Sequence, residues 1–281
     1  MKNKQGEITS HLHGLFYKIL NFLKHEITPI FVFDGKAPQI KGKTLKKRRD
    51  MREQATINLK DLKEGDDEYL KNFKESFKPT RYMFESSKKL LELMGIPYIV
   101  APGEADVVCA WLTCRKDSSG HNFVKGICSE DSDMLAHGGI FLFKNMLKSQ
   151  SEKEKIKVYD LHKALVKLNL TMNQFRDMCV LLGCDNFDPV LGPQTAYKHI
   201  QKYGTLEAVA EDLVLKTKYE KLNVECLIEA RDYFKSSLKN LDKDKTFILT
   251  DDNVKLSKFM HDELLNFMCE MNNFDKTRII T

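Results

Sequence analysis

The chain has 281 residues, of which 42% are hydrophobic and 30% charged, and this composition excludes a low-complexity or disordered chain and leaves room for a sizeable core. No apolar run approaches the length needed to cross a bilayer, and the seven scattered cysteines form no C-x-x-C pair, which favours reduced thiols in an intracellular protein. The net charge is only +5, but residues 41–52 hold seven Lys and Arg against one Asp. This local basic run favours a surface that binds a polyanion.

The first elements are a helix, a strand and a charged excursion. Residues 8–23 carry apolar side chains at helical spacing, with Thr9 or Ser10 as the N-cap. Residues 28–33 are short and apolar, which is typical of a buried strand that ends at Asp34. Residues 36–79 are highly charged and lack a clear apolar stripe, so we predict an exposed, partly helical excursion.

Helices and strands then alternate. Residues 80–94 return to helical spacing and end at Gly95, and a second helix is predicted from Glu104 to about Thr113. Four further strands are predicted, at 96–101, 123–129, 140–146 and 155–159. This alternation indicates an α/β fold with a largely parallel sheet, followed from Asp160 by a smaller, mostly helical part.

Acidic residues follow three successive predicted strands. They are Asp34, Glu104 with Asp106, and Asp131 with Asp133. Because ligands bind at the carboxyl ends of strands in open α/β sheets, we expect these acids to converge. Such a cluster is tolerable mainly when cations neutralise it, and carboxylate oxygens suit Mg²⁺ or Mn²⁺.

A structural role for each acid is the alternative. An Asp at a strand end is often a turn residue or a helix cap, and Glu104 in the first turn of a helix is favoured by the helix dipole alone. The recurrence of acids at three strand ends favours a metal site over three separate structural roles.

Four motifs resemble the flap endonuclease group of the XPG-type, structure-specific 5′ nucleases. They are FVFDGKAPQIK (31–41), LLELMGIPYIVAPGEADVVCAWL (90–112), SEDSDMLAHGG (129–139) and LLGCDNFDPVLGPQTA (181–196). The resemblance implies a PIN-like 5′ nuclease fold, with a mostly parallel central sheet flanked by helices. It also implies four regions: an N-terminal nuclease region (1–35), a helical arch (36–79), an internal nuclease region (80–185) and a helical part that binds duplex DNA (186–281).

The resemblance further implies a set of metal ligands. These are Asp34, Glu104, Asp106, Asp131, Asp133 and Asp185, which in the family hold two Mg²⁺ ions, with Mn²⁺ as a substitute. The ions activate water and stabilise the charge that develops on the phosphate. Lys41 and Arg48 match basic residues that face the scissile phosphate, whereas a solvated charged face is the expectation for most of their basic neighbours.

A duplex-binding element is expected at residues 186–203. There the resemblance implies contacts from Gly192, Gln194, Lys198 and Lys202, because a helix N-terminus is a natural phosphate site. It also implies a bound K⁺, although V-L-G-P here follows Asp185 sooner than the family's longer G-I-G-P loop allows. The alternative is an ordinary helix with solvated lysines.

Together these features predict a Mg²⁺-dependent 5′ flap endonuclease or 5′ exonuclease that cuts branched DNA with a single-stranded 5′ arm in replication or repair. Alternatives are a junction or bubble nuclease of the same superfamily, and a DNA-binding protein of this fold that no longer cuts. We expect a monomer in the nucleus or another DNA-containing compartment, or in the host nucleus or cytoplasm if the chain is viral.

The chain departs from the family's pattern at both ends. It enters after the family's first strand and first metal-binding Asp, and it stops before the basic tail that carries a sliding-clamp motif. We therefore expect one ligand fewer than in the family, and no binding of the clamp through this chain.

Overall fold

The computed structural model of the chain describes residues 2–3, 5–36, 42–63, 65–147, 154–184, 188–216, 219 and 222–280, with the backbone alone at 42–45 and 280. Two predicted site residues, Lys41 and Asp185, lie outside the described residues. Nowhere in these ranges is a helix both long enough and apolar enough to span a membrane.

The chain folds into two compact units. Unit 1 comprises Met1–Phe33, Lys46–Val100 and Leu249–Thr281, and unit 2 comprises Asp34–Leu45 and Ala101–Ile248. Each unit has its own hydrophobic core.

Unit 1 is mainly helical. Its elements are α1 (Ser10–Lys24), β1 (Phe31–Phe33), most of α2 (Gly42–Asn58), α3 (Asp67–Ser76), α4 (Arg81–Leu93), β2 (Tyr98–Val100), a 3₁₀ turn (Asp251–Val254), α12 (His261–Leu265), a π-helical stretch (Asn266–Met271) and α13 (Lys276–Ile280). The predicted apolar face of α1 is buried, with Leu12 and Ile19 inaccessible to solvent, and it packs against α4. β1 and β2 pair in parallel, with Val32 opposite Ile99.

The predicted boundaries of α4 are confirmed. Thr80 caps the helix through a hydrogen bond that its Oγ1 accepts from the Met83 N–H at 3.3 Å. Gly95 follows the C-cap with φ of +68°, a left-handed conformation that glycine adopts without strain. The charged excursion is confirmed as partly helical, because α2 and α3 lie within it.

Unit 2 consists of one small sheet and seven helices in the part of the chain that the structure describes. The strands are β3 (Ile127–Cys128), β4 (Phe141–Lys144) and β5 (Lys157–Asp160), and the helices are α5 (Ala105–Cys114), α6 (Asp133–His137), α7 (Leu161–Leu168), α8 (Met172–Leu182), α9 (Pro193–Tyr203), α10 (Leu206–Val214) and α11 (Val224–Lys243). Its core includes the fully buried Leu142, Leu181 and Ile200. The mostly helical character predicted after Asp160 is confirmed.

The prediction of a largely parallel sheet is wrong for β5. β3 and β4 run parallel, but β4 and β5 are antiparallel, and the described strands form two small sheets. The chain reverses after β4, and Asn145, the first residue beyond that strand, has a φ of +65°. Its side-chain Nδ2 then donates to the Lys155 carbonyl at 3.1 Å and ties the two ends of the connection together.

The strand predicted at 123–129 is reduced to Ile127–Cys128. A local turn precedes it, closed by a bridge between Lys116 and Asn122. Within this turn the Asp117 carboxylate accepts hydrogen bonds from the backbone N–H groups of Ser119 and His121, each at 2.9 Å. This turn, which the Asp117 side chain favours, ends at Asn122, directly before the predicted strand, and only Ile127 and Cys128 pair with β4.

Candidate active site

The loop that follows β1 is tied to the loop that precedes α5. The Asp34 Oδ1 accepts a hydrogen bond from the Ala105 N–H at 2.9 Å, and the Gly35 N–H donates to the Gly103 carbonyl at 2.7 Å. A Cβ at Gly35 would lie 1.9 Å from the Ala101 carbonyl oxygen, so only glycine fits this close approach. The Asp34 carboxylate is therefore held at the N-terminus of α5.

Two more acids occupy the same helix end. Glu104 is the N-cap residue of α5, but its side chain makes no capping hydrogen bond, and Asp34 caps the first helical N–H instead. Asp106 lies in the first turn. The positive end of the helix dipole stabilises all three carboxylates.

The effect of these charges reaches the next turn of α5. Burial, together with the negative charges of Asp106 and Asp34, raises the pKa of the Cys109 thiol to about 12. Asp34 and Asp106 thus lie close enough to influence the same thiol. Asp34 does have the structural role of a cap, and this role places its carboxylate beside the other acids. The structural role and the expected metal-binding role of Asp34 are therefore compatible.

Glu104 is the most buried of the five predicted ligands that the structure describes, with 8% of its surface exposed. Its Oε2 accepts a hydrogen bond from the Tyr233 hydroxyl on α11. Burial raises the pKa of Tyr233, as do this hydrogen bond and the charges of Glu104 and Asp106, so the phenol stays protonated at neutral pH. Sequence reasoning missed Tyr233, because nothing in its local sequence connects it with a residue 129 positions away.

The remaining described acids follow β3. The Asp131 N–H donates to the Ser129 Oγ at 3.0 Å, and the Asp133 N–H donates to the Asp131 Oδ1 at 3.0 Å. Asp131 is exposed, whereas Asp133 is half-buried and begins α6. Burial, together with the negative charge of Asp133, raises the pKa of the Cys179 thiol on α8 to about 12.

Helix packing brings the two acid-bearing helices together. α5 and α6 contact each other, and α11 packs against both. Among the described residues, however, no three His, Cys, Asp or Glu side chains are grouped so as to hold a metal ion. Asp185, the predicted ligand that follows Cys184, lies outside the described residues, so the full ligand set stays a prediction.

The chemistry of the donors fits a hard cation. Every predicted ligand is a carboxylate, and carboxylate oxygens are what Mg²⁺ and Mn²⁺ prefer. The nearby thiols of Cys109 and Cys179 have raised pKa values, which disfavours the thiolates that a soft-metal site requires.

The candidate DNA-binding residues lie on α9 and α2. Gly192 is the N-cap of α9, Pro193 opens the helix, and both Gln194 and Lys198 are exposed. The Lys202 ammonium, by contrast, is engaged: its Nζ donates to the Tyr203 hydroxyl at 2.8 Å and lies 4.5 Å from the centre of that ring. Arg48 is an exposed residue of α2 in unit 1.

Comparison with known families locates two matching models along the chain. The XPG N-terminal domain matches residues 1–55, and the XPG I-region matches residues 95–185. The second match contains the predicted ligands from Glu104 to Asp185. The family resemblance read from the motifs is therefore confirmed.

Similar proteins include Flap endonuclease 1 of Theileria parva, which is 39% identical over 281 residues, covering 99% of this chain and 52% of the relative. Flap endonuclease 1-B of Physcomitrium patens is 35% identical over 285 residues, covering 100% of this chain and 78% of the relative. This chain thus spans about half the length of the Theileria protein.

Two solved structures share the fold. Flap endonuclease-1 from Methanococcus jannaschii superposes with a TM-score of 0.66 at 27% identity, over 99% of this chain and 81% of that one. The catalytic core of Rad2 in complex with a DNA substrate superposes with a TM-score of 0.67 at 26% identity, over 98% of this chain and 84% of that one. The predicted nuclease fold is confirmed by these matches.

Proposed function

This chain belongs to the flap endonuclease family of XPG-type nucleases, and from that premise we propose that it hydrolyses phosphodiester bonds in branched DNA as a divalent-metal-dependent 5′ flap endonuclease. The observation that supports this most is the hydrogen bond from the Ala105 N–H to Asp34, since it brings a third carboxylate to the helix end that bears Glu104 and Asp106.

We assign the binding of two Mg²⁺ ions to the carboxylates that the motifs single out: Asp34, Glu104, Asp106, Asp131, Asp133 and Asp185. When bound, the ions supply Lewis-acid chemistry that activates water and offsets the charge developing on the phosphate. Mn²⁺ is expected to substitute, because it prefers the same oxygen ligands.

The chain's own contribution is to orient these carboxylates. Asp34 is held by the Ala105 N–H, and Glu104 by the Tyr233 hydroxyl. The Asp131 carboxylate accepts a hydrogen bond from the Asp133 N–H. This bond limits the rotation of the Asp131 side chain relative to the backbone of Asp133. Carboxylates that are oriented before substrate binds need less reorganisation during the reaction.

We assign DNA binding to basic side chains and to the N-terminus of one helix. Lys41 and Arg48 are proposed to contact the scissile phosphate, where Arg can bind two oxygens and Lys acts as a point charge. The N-terminus of α9, with Gly192 and Gln194, is proposed to meet the duplex backbone, assisted by Lys198 and Lys202. A K⁺ ion in the loop before α9 belongs to the same proposal.

The substrate class is branched DNA with a single-stranded 5′ arm. A Rad2 core and the junction-resolving enzyme GEN1 are known in complex with DNA, and both share this fold. We expect the chain to act as a monomer, and to act in a compartment that contains DNA, the nucleus included.

Cleavage of a labelled 5′-flap substrate in Mg²⁺ tests the proposal, with wild-type chain compared with Asp131→Asn. Asp262→Asn is the matched control, since the Asp262 side chain is 96% exposed and lies outside the proposed site. We expect wild type and Asp262→Asn to cut and Asp131→Asn to lose nearly all activity. Equal background rates for all three proteins would reject the proposal.

The alternative is a protein of this fold that binds branched DNA without cutting it. This alternative predicts that the wild-type chain binds the flap in Ca²⁺ but gives no cleavage product in Mg²⁺ or Mn²⁺. Comparison of flap, nicked and four-way substrates separates a flap nuclease from an exonuclease or a junction nuclease.

A further inference from the structure

Tyr233 lies on α11, far along the chain from the predicted acids. Its hydroxyl donates a hydrogen bond to the Oε2 of Glu104, the most buried of those acids in the described part of the chain. A buried carboxylate requires a hydrogen-bond donor or a cation, because desolvation otherwise penalises its charge. The phenol is such a donor, and it adds no charge of its own.

The ring of Tyr233 is itself held in place. It makes an edge-on contact with the ring of His137, with 5.5 Å between centres and 83° between planes. His137 is 2% exposed, and its Nδ1 lies 2.8 Å from the Oγ of Ser237, one turn further along α11. The Ser237 hydroxyl also donates to the Phe234 carbonyl at 3.2 Å, so the imidazole is fixed to α11.

His137 ends the short helix α6, which begins at Asp133. Tyr233 therefore bridges two acid-bearing elements: its hydroxyl contacts Glu104 at the start of α5, and its ring contacts α6.

The Glu104 side chain and Tyr233 border a common open space. An open cavity of about 270 Å³ adjoins the side chain, and its lining includes Glu104, Tyr233 and Ser237. Removal of the phenolic hydroxyl would therefore take from the Glu104 carboxylate a hydrogen bond at the edge of this cavity.

We propose that Tyr233 is a positioning residue, which orients the Glu104 carboxylate for divalent-metal binding relative to the helix that carries Asp133. The proposal rests on the proposed function, because it assumes that Glu104 is a metal ligand. Groups that orient a ligand typically change metal affinity or activity by about 10–100-fold when they are removed.

The test replaces the hydroxyl alone. Tyr233→Phe keeps the ring and its contact with His137 but removes the hydrogen bond to Glu104. Tyr98→Phe is the matched control, because the Tyr98 hydroxyl donates to the Glu92 carboxylate at 2.8 Å and neither residue belongs to the proposed site. Mn²⁺ binding to the chain without DNA is measured by electron paramagnetic resonance, alongside thermal unfolding of each variant.

We expect the Mn²⁺ Kd of Tyr233→Phe to rise about tenfold, while that of Tyr98→Phe stays at the wild-type value. In flap cleavage, Tyr233→Phe should need more Mg²⁺ for half-maximal rate and show a lower kcat, with KM for DNA unchanged. A merely structural role would lower the unfolding temperature without moving the Mn²⁺ Kd.

The outcomes separate the two proposals. Equal Mn²⁺ affinity in wild type and Tyr233→Phe would overturn the role of Tyr233 and leave the nuclease activity standing. Mn²⁺ binding by a wild-type chain that cuts no flap would overturn the nuclease proposal, and the binding comparison would still decide the role of Tyr233.

Discussion

The carboxylate of Asp34 caps a helix that begins 71 residues later, through a 2.9 Å hydrogen bond from the Ala105 N–H. Asp34 thus has a structural role and a proposed catalytic role that two substitutions can separate. Asp34→Asn retains an oxygen that can accept the bond but removes the charge, whereas Asp34→Ala removes both.

We expect Asp34→Ala to lower the free energy of unfolding by about 1 kcal/mol, as loss of an N-cap does, and Asp34→Asn to change it much less. Both should lose flap cleavage, by more than the roughly 10–100-fold that removal of an outer-shell partner causes. Urea unfolding and single-turnover cleavage measure the two effects. Full activity in Asp34→Asn would leave Asp34 with its capping role alone.

The close approach at Gly35 gives a prediction about folding. Gly35→Ala would place a Cβ 1.9 Å from the Ala101 carbonyl oxygen, so the two loops must separate. We expect Gly35→Ala to lower the free energy of unfolding by about 3 kcal/mol or more, because overpacking against the backbone is not readily relieved. Gly14→Ala is the control: Gly14 lies within α1 with nothing within 4 Å of its added Cβ, and the change should stabilise by about 0.5–1 kcal/mol. Equal stabilities of the two variants would refute this account.

The two lysines on α9 are predicted to differ in their contributions to duplex binding. Lys198→Ala should weaken binding and reduce the slope of log K against log salt by about 1, as the loss of one phosphate contact does. Lys202→Ala should have the smaller effect, because the Lys202 ammonium is already bonded to Tyr203. Affinities at several salt concentrations, with Lys163→Ala on α7 as the control, test this order. A larger loss for Lys202→Ala would show that the contact with Tyr203 breaks on binding.

Thiol labelling tests the burial and the raised pKa values of two thiols that lie near the acids. Burial and neighbouring carboxylates raise the pKa of Cys109 and Cys179 to about 12, so at pH 8 both remain protonated and poorly nucleophilic. Cys114 is exposed and should be alkylated first. Mass spectrometry after timed iodoacetamide treatment identifies the labelled sites, and unfolded chain shows the rates without the fold. Labelling of Cys109 as fast as Cys114 would contradict the burial and the raised pKa of the Cys109 thiol.

Much of the local structure was predictable from short-range signals. Helix α4 followed from apolar spacing and from Gly95 at its end, all within about fifteen residues of sequence. The short strand β3 was overestimated because β-rich composition does not specify which residues pair with a neighbouring strand, and only Ile127 and Cys128 pair with β4. The antiparallel direction of β5 was missed because composition does not specify the chain reversal that follows β4, where Asn145 has a φ of +65°.

The candidate site was predictable in part for a different reason. Acids at strand ends and helix starts are visible in sequence, and the family motifs identify them individually. Tyr233 was not predictable, because its partner Glu104 is reached only through the packing of α11 against α5. An aromatic residue on an amphipathic helix carries no sign of which buried group its hydroxyl will meet.

The central claim is that this chain cuts a 5′ flap using divalent metal ions held by its carboxylates. Single-turnover incubation of wild-type chain with an end-labelled 5′-flap duplex tests it most directly, in Mg²⁺ and in Ca²⁺ at a chain concentration that saturates binding. The account predicts a product cut near the junction of the single-stranded arm and the duplex in Mg²⁺, and an intact substrate in Ca²⁺. A flap that is fully bound yet remains uncut in both Mg²⁺ and Mn²⁺ would contradict it.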